Sequence, residues 1–248
     1  MKKLIFFILL VFSGGISLFA QEFDEKHWSY SVSVGLNYGG TAPFPIPAPI
    51  EEIHSWRPGI SPQVIAYATR WIYPKSHWGV SIGVGAAIKG METSAGVHLM
   101  QTELVLKPDE KLSGLFSGTN VSKIRNGYIL FPVQVAYRTH GNFVLKAGGY
   151  FAYTAQKSFV GSVSEGYLRI GDITGERMNI ASNDYDFSSE IKSYDFGAMA
   201  NLQIHLLRKI YANVDFTWGL TSVFQEGFDG ISYNMYNIYL ALGGSYHF

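Results

Sequence analysis

The side chains best suited to chemistry in this 248-residue chain are its seven histidines, at positions 27, 54, 77, 98, 140, 205 and 247. No pair of them has the spacing of a helical metal site. Cysteine is absent, which removes thiolate zinc sites, cysteine nucleophiles, disulfides and lipid attachment through a thiol in one step. Ser245 and His247 are the nearest approach to a nucleophile and base. They lie two residues apart on one strand face, with no acid beside them to orient the imidazole, so a structural role is expected. Gly83-Val84-Gly85 has the glycines of a phosphate loop but leads into no helix. No catalytic, cofactor-binding or metal-binding residue is therefore assigned, and a non-enzymatic protein is expected.

Whatever these residues do, they must be positioned by strands. From residue 28 onward, large apolar residues alternate with small or polar ones at a period of two, the pattern of a strand whose faces meet different surroundings. In Trp28 to Tyr38, the residues Trp28, Tyr30, Val32, Val34, Leu36 and Tyr38 alternate with Ser29, Ser31, Ser33, Gly35 and Asn37. The same template fits Trp78 to Lys89, Tyr128 to Arg138, Asn142 to Tyr153, Tyr194 to Leu206, Ile210 to Leu220 and Tyr236 to Phe248. It fits Ile60 to Trp71 most weakly. There Ile65, Tyr67 and Trp71 share one side, and Val64, Ala66, Ala68 and Arg70 share the other. These are eight segments of about the 9 to 11 residues that cross a bilayer at a tilt.

The connections alternate strictly between short (72–77, 139–141, 207–209) and long (39–59, 90–127, 155–193, 221–235). All the long ones then fall at one end of an up-and-down barrel, as in outer-membrane barrels with short periplasmic turns and long external loops. The fold class expected is an all-β, eight-stranded antiparallel transmembrane barrel. Strand-like pieces such as Leu99 to Leu106 either extend hairpins beyond the wall or raise the count to ten.

The face of Ser, Gly, Ala, Asn and Gln suits a crowded lumen, and the bulky face suits lipid. Aromatic residues near strand ends, among them Trp28, Tyr38, Trp78, Tyr137, Phe143, Tyr153, Tyr194, Trp218, Tyr236, Tyr246 and Phe248, fit interfacial girdles. On this parity Arg70, Arg138, Lys146 and Asp215 point into the lumen near the short turns, and Lys89 and Asp195 lie nearer the other rim. Isolated charges there are costly. A lumenal charge network is expected in which Asp215 meets Lys146 or Arg138, within a packed plug rather than an open pore. Pro132 lacks a ladder donor and fits a strand end or a bulge near the outer rim.

Composition agrees with this architecture. Charged residues make up 15% of the chain, against roughly 25% in soluble domains, and aromatic residues another 15%. Mean hydropathy is +0.08. A disordered chain and a nucleic-acid binder are both excluded by this balance. Met1-Lys2-Lys3, the apolar run Leu4 to Phe12 and the small-residue region ending at Ala20 have the layout of a signal peptide, with cleavage expected after residue 20. Its removal takes Lys2 and Lys3 away and leaves a net charge of −2. In the first long loop, Thr41 to Ile50 carries four prolines among mostly apolar residues. This stiff segment keeps Phe44, Ile46 and Ile50 at the surface or against other loops, as a possible loop contact for a protein or glycan.

From Trp28 to Phe248 the chain resembles the PorT-like outer-membrane β-barrel family of Gram-negative bacteria. The residues that carry the resemblance are Tyr128-Ile129-Leu130-Phe131-Pro132-Val133, Ala147-Gly148-Gly149-Tyr150, Asp195-Phe196-Gly197 and the aromatic-ended Gly243-Gly244-Ser245-Tyr246-His247-Phe248. The resemblance implies an outer-membrane location with both termini periplasmic, contact with outer-membrane lipid, and recognition of Tyr246 and Phe248 by the barrel-assembly machinery. It implies no cofactor. Members mostly lack an assigned activity and one is named for a role in secretion, so a supporting role in the envelope is implied. A lipid-modifying enzyme and a narrow passive pore are the alternatives.

Overall fold

The computed structural model describes residues 27–107, 110–228, 230–231 and 233–248. The expected signal peptide, residues 1–20, lies outside the described residues. Eleven strands follow one another: β1 (Trp28–Pro43), β2 (Ile50–Pro58), β3 (Pro62–Trp71), β4 (Trp78–Lys107), β5 (Glu110–Arg138), β6 (Phe143–Gln156), β7 (Phe159–Ile170), β8 (Arg177–Asp186), β9 (Tyr194–Leu207), β10 (Ile210–Gly219) and β11 (Met235–His247). A single 3-10 turn, Ser188–Glu190, precedes β9.

Eight of them form a closed antiparallel ring, β1-β3-β4-β5-β6-β9-β10-β11, and β11 returns to β1 from Ser31↔His247 to Pro43↔Met235. Closure matters because it leaves no edge in the wall, so backbone donors and acceptors find partners within the ring. The remaining strands add to the ends of the longest two. β4 and β5 continue past the wall as one hairpin; β2 pairs with β4 at Met91 to Val97, β7 pairs with β5 at Gly114 to Ile124, and β8 pairs with β7. The strand-like pieces of the long loops therefore build a five-stranded outer sheet and leave the wall at eight strands, not ten.

Alternation sets the two faces. Val34, Leu36, Val80, Ile82, Val84, Val133, Val135, Leu145, Leu240 and Leu242 are exposed on the outside, while Ser31, Ser33, Asn37, Gln134, Asn201, Gln203, Asn213, Asn237 and Ser245 are buried inside. One strand departs from the expected parity. Ile65, Tyr67 and Trp71 of β3 face the interior, whereas Val64 and Arg70 face out. The cause is register: Ile65 lies opposite Ser33 of β1, and residues directly opposite in an antiparallel pair share a face. Pairing overrides the weak polarity contrast within β3.

Pro132 also departs from expectation. It lies in mid-strand, facing inward and opposite Tyr150. On its other side the β4–β5 ladder omits the pairs between Ile82↔Val133 and Gly85↔Leu130, where the proline has no N–H to give. Gly83 accommodates the ring: a Cβ there would sit 3.0 Å from Pro132 Cγ.

The interior is filled in layers. Trp71, Ala136, Val144 and Tyr211 pack at the short-turn end, and Ile65, Tyr67, Ala87, Tyr128, Leu130, Tyr150, Ala152 and Met199 pack above them. A third cluster, which includes Phe116, Phe159, Leu168, Tyr185, Phe187 and Phe224, lies beneath the outer sheet. Rings there meet at 4.9 Å between Phe159 and Phe224 and at 4.6 Å between Tyr185 and Phe187.

Gly243 is where the closing strands approach most tightly, and a Cβ would fall on the Val34 carbonyl oxygen. Gly243→Val is expected to destabilise the barrel by about 3 kcal/mol or block closure. Gly149→Ala, whose Cβ would meet only Gly197 O at 3.4 Å, is expected to be neutral. Heat-modified mobility in detergent electrophoresis, with circular-dichroism melting, distinguishes the two.

Candidate functional site

Inward parity on β4, β6, β9 and β10 brings Lys89, Lys146, Asp195 and Asp215 into two polar layers. In the layer nearer the outer sheet, Asp195 of β9 is held from three sides. Tyr150 Oη donates to Oδ2 at 2.9 Å, Asn237 Nδ2 donates to the same oxygen at 3.0 Å, and Thr221 Oγ1 donates to Oδ1 at 2.8 Å. Asn237 also donates to Tyr128 Oη at 3.0 Å and accepts from Thr41 Oγ1 at 2.8 Å. Lys89 of β4 enters this layer fully buried, with Nζ 5.3 Å from the ring centre of Tyr128, 5.0 Å from Tyr150 and 5.5 Å from Tyr239. Its ammonium makes no hydrogen bond among the described residues. Three aromatic faces and the charge of Asp195 offset the loss of water instead.

The second layer centres on Asp215 of β10. Gln63 Nε2 donates to one carboxylate oxygen at 2.8 Å and Asn201 Nδ2 donates to the other. Lys146 of β6 interacts with Asp215 electrostatically while its Nζ lies 4.2 Å from the Tyr67 ring centre. Asp215 therefore takes its hydrogen bonds from two amides, and Lys146 supplies the balancing charge. Arg138 has other partners: Nε donates to Ser76 O at 2.6 Å and the guanidinium lies 4.2 Å from the Trp71 ring centre, which caps the short-turn end.

Arg70 is the residue the parity of β3 misassigns. It faces outward, 5.8 Å from the Trp28 ring centre, and is no part of the lumenal network. The partners that sequence reasoning passed over are neutral: Gln63, Asn201, Asn237, Thr41, Thr221, Tyr67, Tyr128, Tyr150 and Tyr239. Inward parity is the available signal for Asn201, Asn237, Thr41 and the tyrosines of β5, β6 and β11, whereas Gln63 and Tyr67 of β3 are placed inward only by pairing with β1. Asn213 donates to Ser33 Oγ and accepts from Ser245 Oγ at 2.9 Å. With that hydroxyl engaged, and His247 stacked 4.0 Å from Tyr211, Ser245 and His247 are not arranged as nucleophile and base. No group of three or more His, Asp or Glu is placed to hold a metal ion among the described residues.

The other positions singled out by sequence lie on the outside. Phe44 and Ile46 are exposed, with the Phe44 ring edge-on to Trp218 at 5.5 Å, whereas Ile50 packs partly buried against the outer cluster. Tyr246 and Phe248 are exposed at the short-turn end, their rings edge-on at 5.2 Å.

The model of the family described as outer membrane protein beta-barrel domain matches residues 19–225. The chain belongs to this family. It is thus an outer-membrane β-barrel protein. Among solved structures it is similar to Ail, the attachment invasion locus protein of Yersinia pestis, at 9% identity and a TM-score of 0.31, over 89% of this chain and 97% of that one. A structure of Ail in complex with the heparin analogue sucrose octasulfate is similar at 10% identity, with the same TM-score of 0.31 and the same coverage of 89% and 97%. No curated protein sequence matches significantly.

Val34, Val80, Val133 and Leu242 give the outward face of the wall an exposed apolar surface. Aromatic residues gather at the two ends of the wall: Trp78 beside Tyr137 at 4.7 Å at one rim, Tyr38, Tyr153, Tyr194 and Trp218 at the other. Between these rims the polar layers have no bulk water to exchange with, so removing one charge strands the other. Asp215→Ala is expected to cost roughly 3–5 kcal/mol by leaving the Lys146 charge uncompensated. The double variant with Lys146→Met should recover most of that loss. Urea unfolding in lipid vesicles, followed by tryptophan fluorescence, reads both.

Proposed function

We propose that this outer-membrane barrel is non-enzymatic, with a sealed lumen and an outer sheet that serves as a binding platform in an envelope process. The observation that carries this reading is the outer sheet itself. β4 and β5 run 30 and 29 residues, well beyond the 9–11 that a crossing requires, and the excess is backed by its own apolar cluster. At about 3.3 Å per residue, the 18 residues of β4 beyond Lys89 have a contour of roughly 60 Å past the wall. A projecting structure of that size has a use only if something meets it.

The same reading sets the short turns and both termini in the periplasm and the outer sheet outside the cell. Tyr246 and Phe248, at the end of the closing strand, then serve as the handle for the barrel-assembly machinery. Phe44 and Ile46, exposed beside Trp218, offer contact to an envelope protein or a glycan. The sequence likeness to PorT-like barrels supports placement in that branch of the family, with a supporting role that includes secretion-associated work. The packed layers around Lys89 and Asp215 favour a sealed body over a passive pore.

The test compares affinity capture from cross-linked envelopes for the intact protein and for a variant in which residues 159–186, the β7–β8 hairpin, are replaced by a short turn. A partner retained by the first and lost from the second is expected, as is the absence of conductance steps in planar bilayers. Unchanged capture would remove the outer sheet from the function. Stable conductance, or a change in lipid A mass that depends on the gene, would replace this reading with a pore or an enzyme.

A further inference from the structure

The wall is split at the end away from the short turns. β1 pairs with β3 only as far as Leu36↔Pro62, and from residue 38 to residue 43 it is held by β11 alone. The next strand along that side, β2, pairs instead with β4. Asn37 marks the parting, its Nδ2 donating to Ser61 O at 3.1 Å and to Ile88 O at 3.2 Å.

A cavity of about 390 Å³ fills the gap, within the range of about 300–1,000 Å³ usual for small-molecule sites. Its sides are apolar, formed chiefly by Ile53, Trp56, Met91, Val97, Met235 and Ile238. Gly39 and Gly40 keep the β1 side bare; a Cβ at Gly40 would sit 2.6 Å from Met91 Sδ and 3.6 Å from Trp56 Nε1. The polar groups that reach the cavity serve one another. Asn120 Oδ1 accepts from Tyr185 Oη at 2.9 Å, and Ser122 Oγ shares a hydrogen bond with Tyr185 Oη at 2.8 Å. The rest of the lining is largely hydrocarbon, which an apolar chain matches.

The position of the mouth decides the occupant. Gly40 and Ala42, which line the cleft, continue the outward parity of Leu36 and Tyr38 along β1, and Phe44, next to the lining residue Pro43, lies edge-on to Trp218. Ile46, 64% exposed, and Ile53, 51% exposed, both line the cleft and leave part of its apolar surface open to the outside. We propose that this cleft takes an acyl chain of a membrane lipid, entering sideways from the leaflet at that end of the wall. The chain exchanges one hydrocarbon surrounding for another while its headgroup stays at the interface.

The test uses full-length protein in nanodiscs containing a phosphatidylethanolamine with a diazirine near the end of one acyl chain. After irradiation, cross-links are mapped by peptide mass spectrometry. Labelling of residues 39–56 and 91–97, in addition to belt residues such as Val34 and Val80, is expected. Gly40→Leu, which fills the cleft, and Ile53→Glu, which places a charge at a half-exposed position of its mouth, should each lower that labelling by about tenfold, the ratio corresponding to ~1.4 kcal/mol. Belt labelling should not change, and Ile173→Glu, at an exposed site in the β7–β8 connection, should change neither.

Labelling confined to the belt overturns the proposal. So does cleft labelling that both variants leave intact. Labelling by free diazirine palmitate but not by the phospholipid would assign the cleft to a soluble fatty acid, and protein-to-protein cross-links through residues 39–56 would assign it to a second copy; either replaces the proposal. Heat-modified mobility confirms that each variant is folded. The failure of this test would leave the binding role of the outer sheet standing, because that role is read from captured partners.

Discussion

The structure depends on one constraint: a β-sheet surrounded by hydrocarbon has no water to satisfy its edges, so it must close on itself. The pairing of β1 with β11 meets that requirement, and it is the longest-range contact in the chain, joining residues near 30 to residues near 247. Closure at eight strands makes the interior narrow. Narrowness in turn demands either small residues or polar ones that partner each other. The glycines that sit against neighbouring carbonyls and the amide-held carboxylates answer the same geometric demand.

The lumenal chemistry makes sense in that light. Asp195 and Asp215 are each surrounded by neutral donors, and the ammonium groups of Lys89 and Lys146 lie over tyrosine rings. A direct ion pair would satisfy charge but leave the remaining lone pairs of each carboxylate unmet. Amides and hydroxyls satisfy the lone pairs, and the charge is balanced at longer range. This divides the work of desolvation among many residues and explains why so much of the inward surface is Asn, Gln, Ser and Thr.

Much of the architecture was legible in the sequence because a barrel wall writes its two surroundings into a period of two. All eight wall strands, the alternation of short and long links and the inward direction of Lys89, Arg138, Lys146, Asp195 and Asp215 follow from that signal. What escaped did so for identifiable reasons. Arg70 was misassigned because β3 has Ala66, Ala68 and Tyr67 where a polarity contrast was needed, and only its pairing with Ser33 and Val34 determines which face is which. Pro132 was expected at a rim, because the missing donor is visible in sequence while the accommodating glycine on the neighbouring strand is not. The outer sheet was hidden because its strands lie in long loops whose partners, β2 with β4 and β7 with β5, are set by topology rather than by local composition. The cleft beside β1 was invisible for the same reason, since it is an absence of pairing.

The uninterrupted run of β4 and β5 from the short turns to the outer sheet carries a mechanical implication. No linker or hinge separates wall from projection on these two strands, so a pull on the far tip passes along covalent backbone into a ladder loaded lengthwise. Hydrogen bonds arranged in parallel along that ladder share the force and resist it together, unlike a flexible tether that would absorb the displacement by uncoiling. The outer sheet is thus a stiff projection rooted directly in the barrel wall.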